Sequence, residues 1–253
     1  NMLNILIPMA GIGKRFQDAG FIDPKPFIDV NGMSMIETVL GDLLPKNGKY
    51  ADYRFIIVTQ GDFFKKYSHT LIGIKSLFNK LEYHTIDHIT SGPAETCIVA
   101  KAMINTSDRL LIANCDQLVN DPGYIDRMIN FADENDVDGG ILCHVAKHKK
   151  WSFVDVVDDS KHISKCVEKE PISPLATTGH YYFRRGYDFV KAAEYVLDKK
   201  ILSNGECYVS NVIQHMIGEN KKFIPYVINQ FYPIGTPEDL KKYVATHGKE
   251  KPI

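Results

Sequence analysis

Between residues 3 and 16 the chain reads LNILIPMAGIGKRF, an apolar run that gives way to Gly11, Gly13, Lys14 and Arg15. Glycine adopts positive φ without a Cβ clash, so successive N–H groups in such a turn can face one way and form a nest for phosphate oxygens. The two adjacent cations strengthen the preference for a polyanion. A dinucleotide fingerprint needs a third glycine where Phe16 stands, and a Walker loop needs a hydroxyl where Arg15 stands, which disfavours both NAD and a P-loop. From this loop alone, a plain glycine turn carrying solvated cations stays open.

Other positions carry chemistry of the same kind. Lys25 lies between Pro24 and Pro26, which fix φ and hold their preceding residues extended, so its ammonium can be aimed at a fixed target. Asp116 closes the apolar run LLIANCD, where a carboxylate serves either a cation or a turn cap. Glu168 and Lys169 read either as ligand contacts or as an exposed ion pair of little energetic weight. Cys143, His144 and His148 lack a ligand pattern, His144 lying in an apolar strand run and His148 among lysines. In GTPEDL (235–240), Thr236 as N-cap, Pro237 at N1 and Asp239 at N3 are explained by a helix start.

Elements must bring these side chains together. β-rich apolar runs at 3–8, 53–59, 82–86, 108–113 and 138–146 alternate with segments of helical period, such as Ile125, Met128, Ile129 and Ala132. That alternation predicts parallel pairing with right-handed crossovers, and the first strand-to-helix loop is then the favoured phosphate site. Runs at 151–157, 161–168 and 177–183 predict antiparallel additions, and helices follow at 187–199, 208–219 and near 237–246. No linker, repeat or low-complexity tract separates the halves. The expectation is one domain over 1–253, with a nucleotide-binding front of about 1–150 and an acceptor-binding back of about 151–253.

The 253 residues are 44% hydrophobic, with 30 basic and 31 acidic side chains, so the chain can fill a core and has no global field for nucleic acid or an anionic membrane. Lys-Lys pairs at 65–66, 149–150, 199–200, 221–222 and 241–242 are scattered rather than striped. Five cysteines without C-x-x-C spacing argue for reduced, buried thiols in a cytoplasm, against a disulfide framework or structural zinc. No run reaches the length of a membrane span. A small-molecule partner is the default, and a homo-oligomer stays open because no interface signature stands out.

Taken with TSGPAETC (90–97), CVEKEP (166–171), TTGHYYF (177–183), GECYVSNVI (205–213) and YPIGTPEDL (232–240), the set resembles, in order and spacing, the nucleotidyltransferase family that makes activated sugars and related nucleoside diphosphate compounds. The likeness runs from about residue 3 to 245. It implies an α/β, Rossmann-like three-layer fold (GT-A-like) with a mostly parallel mixed central sheet. It also implies an NTP wrapped by Met9, Ala10, Gly11, Gly13, Lys14 and Arg15, with Lys25 at the α-phosphate and Ser91, Gly92 and Pro93 at the base. By the same resemblance Asp116 is the ligand of Mg²⁺ (or Mn²⁺), Arg15, Lys25 and Asp116 are catalytic, and Glu168, Lys169, Thr178, Gly179 and Glu206 bind the acceptor.

Two departures bear on specificity. Hexose-1-phosphate members usually begin with Gly-Gly and place Thr before Arg, whereas PMAGIGKR is nearer the P-x-A-G-x-G-x-R form of cytidylyl- and some uridylyltransferases. The family's second metal acid is replaced by Pro233. The chain thus looks nearest the capsule-associated branch, which implies CTP as donor and a small phosphorylated acceptor such as L-glutamine phosphate. A sugar-1-phosphate uridylyl- or guanylyltransferase, a glycosyltransferase of similar fold and a catalytically inactive nucleotide-binding regulator are the alternatives. The single acid of Asn114-Cys115-Asp116 speaks against the glycosyltransferase, which would present Asp-x-Asp.

Overall fold

A computed structural model describes residues 2–46, 52–78 and 80–248. In chain order the front comprises β1 (Leu3–Met9), α1 (Lys14–Asp18), a 3₁₀ turn (Lys25–Phe27), β2 (Asp29–Val30), β3 (Met33–Ser34), α2 (Met35–Leu43), β4 (Tyr53–Gln60), α3 (Gly61–Lys66), α4 (Ser68–Leu77), β5 (Leu81–Ile86), α5 (Pro93–Ile98), α6 (Lys101–Ile104), β6 (Arg109–Ala113), β7 (Gln117–Leu118), α7 (Tyr124–Glu134) and β8 (Gly139–Val145). The back adds β9 (Ser152–Val156), β10 (Ile163–Glu168), β11 (Leu175–Phe183), α8 (Gly186–Asp198), α9 (Val209–Gly218), β12 (Phe223–Val227), β13 (Tyr232–Pro233) and α10 (Pro237–His247).

One nine-stranded mixed sheet carries both halves, in the order β10-β9-β11-β6-β1-β4-β5, with β8 on β11 and β12 beyond it. β1, β4, β5 and β6 pair in parallel, as the strand–helix alternation requires, and only β10 and β11 run against the rest among the described strands of this sheet. β12 escapes the sequence pattern because Pro225 interrupts its run. Proline is tolerated there because β12 is an edge strand, pairing β8 alone.

Side-chain alternation on the strands feeds two cores. Leu3, Ile5 and Ile7 of β1 join Phe55, Ile57 and Leu111 on the face covered by α2, α4, α7 and α10. Leu6, Ile56, Val58, Leu110 and Ile112 point the other way, under α5, α8 and α9. Strands buried on both faces explain why the front runs read as continuously apolar. Helix ends follow local rules: the Ser34 hydroxyl accepts from the Glu37 N–H at 3.3 Å, and Thr236 accepts from Asp239 N–H at 3.1 Å with Pro237 in the first turn. All five cysteines are buried and free, and burial pushes Cys115 and Cys207 up to about 11, so neither offers a thiolate near neutrality. No helix among the described residues is long and apolar enough to cross a membrane.

Behind β11 lies a buried polar chain. Thr178 Oγ1 meets His180 Nδ1 at 2.7 Å, His180 Nε2 meets the Tyr124 hydroxyl at 3.2 Å, and that hydroxyl donates to Asp42 at 3.0 Å. Asp42 also accepts from the N–H groups of Val119 and Asn120, tying α2 to the loop after β7. Burial pulls His180 down to about 4, against smaller opposing effects of Asp116 and the Thr178 backbone. The unfolded chain therefore binds one more proton than the native state between about pH 6.5 and 4, and acidification through that window erodes stability. Urea unfolding between pH 6.5 and 5 should lose up to about 1.4 kcal/mol per pH unit from this group, a slope that His180→Gln removes.

Candidate active site

The glycine loop is folded onto Lys25. Gly13 has φ +64°, and a Cβ there would stand 3.0 Å from Lys25 Cβ and 3.4 Å from its backbone nitrogen. α1 has only five residues, too few to hold itself, so Phe16 anchors it: fully buried and edge-on to Phe21 at 5.1 Å. Burying such a ring contributes about 1.5–3 kcal/mol, which explains an aromatic where a dinucleotide site has glycine. Gly11, by contrast, has nothing within 4 Å of its Cβ position and borders an open cavity.

Lys25 starts the 3₁₀ turn, braced by Pro24 at φ −58°, ψ 150° and by Phe27, which stacks on Tyr67 at 4.1 Å. Its ammonium donates to Asp116 Oδ2 at 2.8 Å, the two side chains being 23% and 15% exposed. Burial alone would lower the Lys25 pKa, but the Asp116 carboxylate outweighs it, aided by Cys115, and the pKa ends above its ordinary value. Lys25 is therefore a fixed positive charge. Arg15 and Lys14 are exposed, Lys14 lying 3.6 Å from Asp18.

Asp116 follows β6 and is boxed in by the distant segment after β13. Ile234 N–H donates to the Asp116 carbonyl at 2.9 Å, and a Cβ on Gly235 would fall 2.4 Å from Oδ2. Pro233 pairs with Gln117 across β7 and β13, so the place of the absent second acid is adjacent to Asp116 and supplies no carboxylate. Among the described residues no group of three or more His, Cys, Asp or Glu side chains could hold a metal. A lone carboxylate still suits Mg²⁺, which dehydrates reluctantly and takes most of its oxygens from water and substrate phosphates.

Two cavities meet at Asn114 and Pro93. One of about 220 Å³ is lined by Met9, Gly11, Lys25, Cys115 and Asp116. The other, of about 160 Å³, is lined by Gln117, Trp151, Glu168, Thr177, Gly179 and Tyr208. The loop 91–93 borders both through Pro93, and Gly92 at φ +141° packs against Cys207, whose N–H donates to the Ser91 carbonyl at 2.7 Å. Gly179 similarly seats Asn114: a Cβ there would meet the Asn114 amide at 2.4 Å, and Asn114 N–H donates to its carbonyl at 3.1 Å.

The expected acceptor residues divide. Glu168 and Gly179 line the second cavity, with Glu168 accepting from the Ser152 hydroxyl and from Ser210 Oγ at 3.0 Å. Thr178 does not: it is fully buried in the polar chain behind β11, and its neighbour Thr177 takes the cavity position. Lys169 and Glu206 are exposed and converge on Tyr208, whose hydroxyl receives Lys169 Nζ at 3.0 Å and donates to Glu206. Tyr208 is the group that reaches the cavity. Asn114, Gln117, Trp151 and Tyr208 went unassigned in the sequence, although polar side chains flanking Asp116 at the end of an apolar run were a signal for the first two.

The family model for nucleotidyl transferases matches residues 5–249. No curated protein sequence matches the chain. Among solved structures, the nucleoside-diphosphate-sugar pyrophosphorylase of Vibrio cholerae RC9 superposes with a TM-score of 0.81 at 21% identity, over 95% of this chain and 99% of that one. A candidate glucose-1-phosphate thymidylyltransferase of Bacillus anthracis, in complex with sucrose, gives 0.77 at 16%, over 100% and 98%. The UTP-bound UGPase of Acinetobacter baumannii gives 0.73 at 19%, over 100% and 95%.

The glycines separate packing from cavity roles. Gly92→Ala drives a Cβ to 2.5 Å from the Cys207 carbonyl in a conformation L-residues avoid, and should destabilise by about 1–3 kcal/mol in urea unfolding. Gly11→Ala meets nothing and should leave the midpoint within about 0.5 kcal/mol of wild type while obstructing the larger cavity.

Proposed function

We propose that this chain, which belongs to the nucleotidyl transferase family, seats an NTP in the larger cavity and a small phosphorylated acceptor in the smaller one, and joins them with release of pyrophosphate. The observation that carries this reading is the Lys25–Asp116 pair, 2.8 Å apart on the wall of the larger cavity and one residue from Gln117 on the smaller. An acceptor phosphate oxygen attacks the α-phosphorus, the new P–O bond forms as the α–β bridge breaks, and pyrophosphate leaves with the bonding pair. The second pKa of a phosphate monoester is about 6, so the nucleophile is already ionised and needs no general base.

The obstacle is repulsion between polyanions. Unit charges 4 Å apart interact by roughly 4 kcal/mol at an effective dielectric of 20, so a few well-placed cations decide whether the approach succeeds. Lys25 neutralises the α-phosphate, and Lys14 and Arg15, free to swing from solvent, hold the β- and γ-oxygens. The backbone of Met9, Ala10, Gly11 and Gly13 cradles the chain of phosphates, while Ser91, Gly92 and Pro93 face the base. Asp116 is the residue that would hold Mg²⁺ or Mn²⁺, which when bound supplies further charge neutralisation. Glu168 and Gly179 hold the acceptor directly, and Lys169 and Glu206 do so through Tyr208.

CTP as the donor is supported by the P-x-A-G-x-G-x-R form of residues 8–15. Pro233 supports a capsule-type acceptor. The reading is then a CTP:phosphoglutamine cytidylyltransferase that makes CDP-L-glutamine from L-glutamine phosphate, acting in the cytoplasm where its thiols stay reduced. The second reading, a sugar-1-phosphate uridylyltransferase, is favoured by the UTP bound to the Acinetobacter relative and the sugar-nucleotide names of the others.

Pyrophosphate release with the four NTPs, each against L-glutamine phosphate and several sugar 1-phosphates, separates them: turnover with UTP or GTP and a hexose phosphate alone rejects the cytidylyl assignment. Lys25→Ala and Asp116→Asn should each lower turnover by about 10²-fold or more without unfolding the protein, and near-normal release from either would remove its assigned role.

A further inference from the structure

Gln117 stands next to Asp116 and lines the smaller cavity, with only 7% of its surface exposed. Its carboxamide oxygen is buried and has no hydrogen-bond partner among the described residues. An oxygen left so is a standing cost to the folded state, which a chain keeps where another group will meet it. The short strand β7 is pinned against β13, and Pro233, directly opposite Gln117, has no N–H to offer. Asp116 lines the larger cavity while Gln117 lines the smaller, so the two reactant sites flank one dipeptide.

The charged groups around the smaller cavity are already matched. Lys150 Nζ lies 3.0 Å from Asp239, and Glu168 accepts from two serine hydroxyls. The unused polar capacity is neutral: a carboxamide that, by turning over, presents either an acceptor oxygen or an N–H pair at no change of shape. Resting on the nucleotidyl-transfer reading, we propose that Gln117 determines acceptor specificity by hydrogen-bonding an uncharged polar group, a hydroxyl or an amide, that the acceptor carries beyond its phosphate. A simple alkyl phosphate leaves the carboxamide unmatched and is discriminated against.

Gln117→Leu removes the amide at similar volume. Pyrophosphate release is followed with L-glutamine phosphate and with α-D-glucose 1-phosphate, each with the four NTPs, beside urea unfolding of the same proteins. The expected result is an acceptor KM raised about 10- to 100-fold with the nucleotide KM within about twofold of wild type. The unfolding midpoint should equal or exceed wild type, because a buried oxygen without a partner is gone. An unchanged acceptor KM, or a midpoint below wild type, overturns the role of Gln117 and leaves nucleotidyl transfer standing. A wild-type protein inert with both acceptors rejects the underlying reading, and this assignment with it.

Discussion

A lysine and an aspartate facing each other at 2.8 Å, both mostly out of water, set the terms for the front of this molecule. Such a pair is a poor source of stability, since removing two charges from water costs about as much as their attraction returns. Its value lies in position. Lys25 cannot drift because prolines flank it, and its charge is secured by the carboxylate opposite. Both groups are thereby held at one wall of a cavity before any ligand arrives, so the reorganisation that a flexible lysine would need has been built in during folding.

Near that pair, three glycines from remote parts of the chain, two in loops and one in β11, pack against neighbouring segments at distances that exclude a Cβ. Gly92 lies against Cys207, Gly179 against Asn114 and Gly235 against Asp116. Gly179 and Gly235 hold their segments against the residues that follow β6, and Gly92 holds the 91–93 loop, which borders both cavities through Pro93, against Cys207. Bulk at any of them would push apart the segments that carry the polar side chains, so these glycines fix the width of the cleft. Gly11 differs because open space surrounds it, which is the environment expected where a ligand approaches the main chain.

β11 works on both of its faces. Thr177, Gly179 and Tyr181 line the smaller cavity, while Thr178 and His180 enter the hydrogen-bonded chain to Tyr124 and Asp42. That chain reaches the N–H groups of Val119 and Asn120, just beyond Gln117, so the buried side of the strand braces the loop that the cavity side needs held. Tyr208 plays a comparable part at the rim, gathering an exposed lysine and an exposed glutamate onto one hydroxyl. Charge is thus present near the smaller cavity without a bare ion lining its wall at those positions.

Local chemistry made much of this legible from the amino acids alone. The parallel front, the glycine turn after β1, the braced lysine, the aspartate at the strand end and the capped start of α10 each depend on residues within a few positions of one another. The lining of the smaller cavity depended on pairing across long separations. Thr177, Gly179 and Tyr181 alternate with Thr178 and His180 along β11, but which of the two faces meets the cavity is set by the strands and helices that pack on it from elsewhere in the chain. The partnership of Lys169 and Glu206 through Tyr208, and the empty hydrogen-bonding capacity of Gln117, arise only once β7, β13 and the 205–208 turn are packed together. A sequence encodes what each side chain is able to do; which face it occupies, and which of its polar atoms are left over, is decided by the contacts that folding brings from elsewhere in the chain.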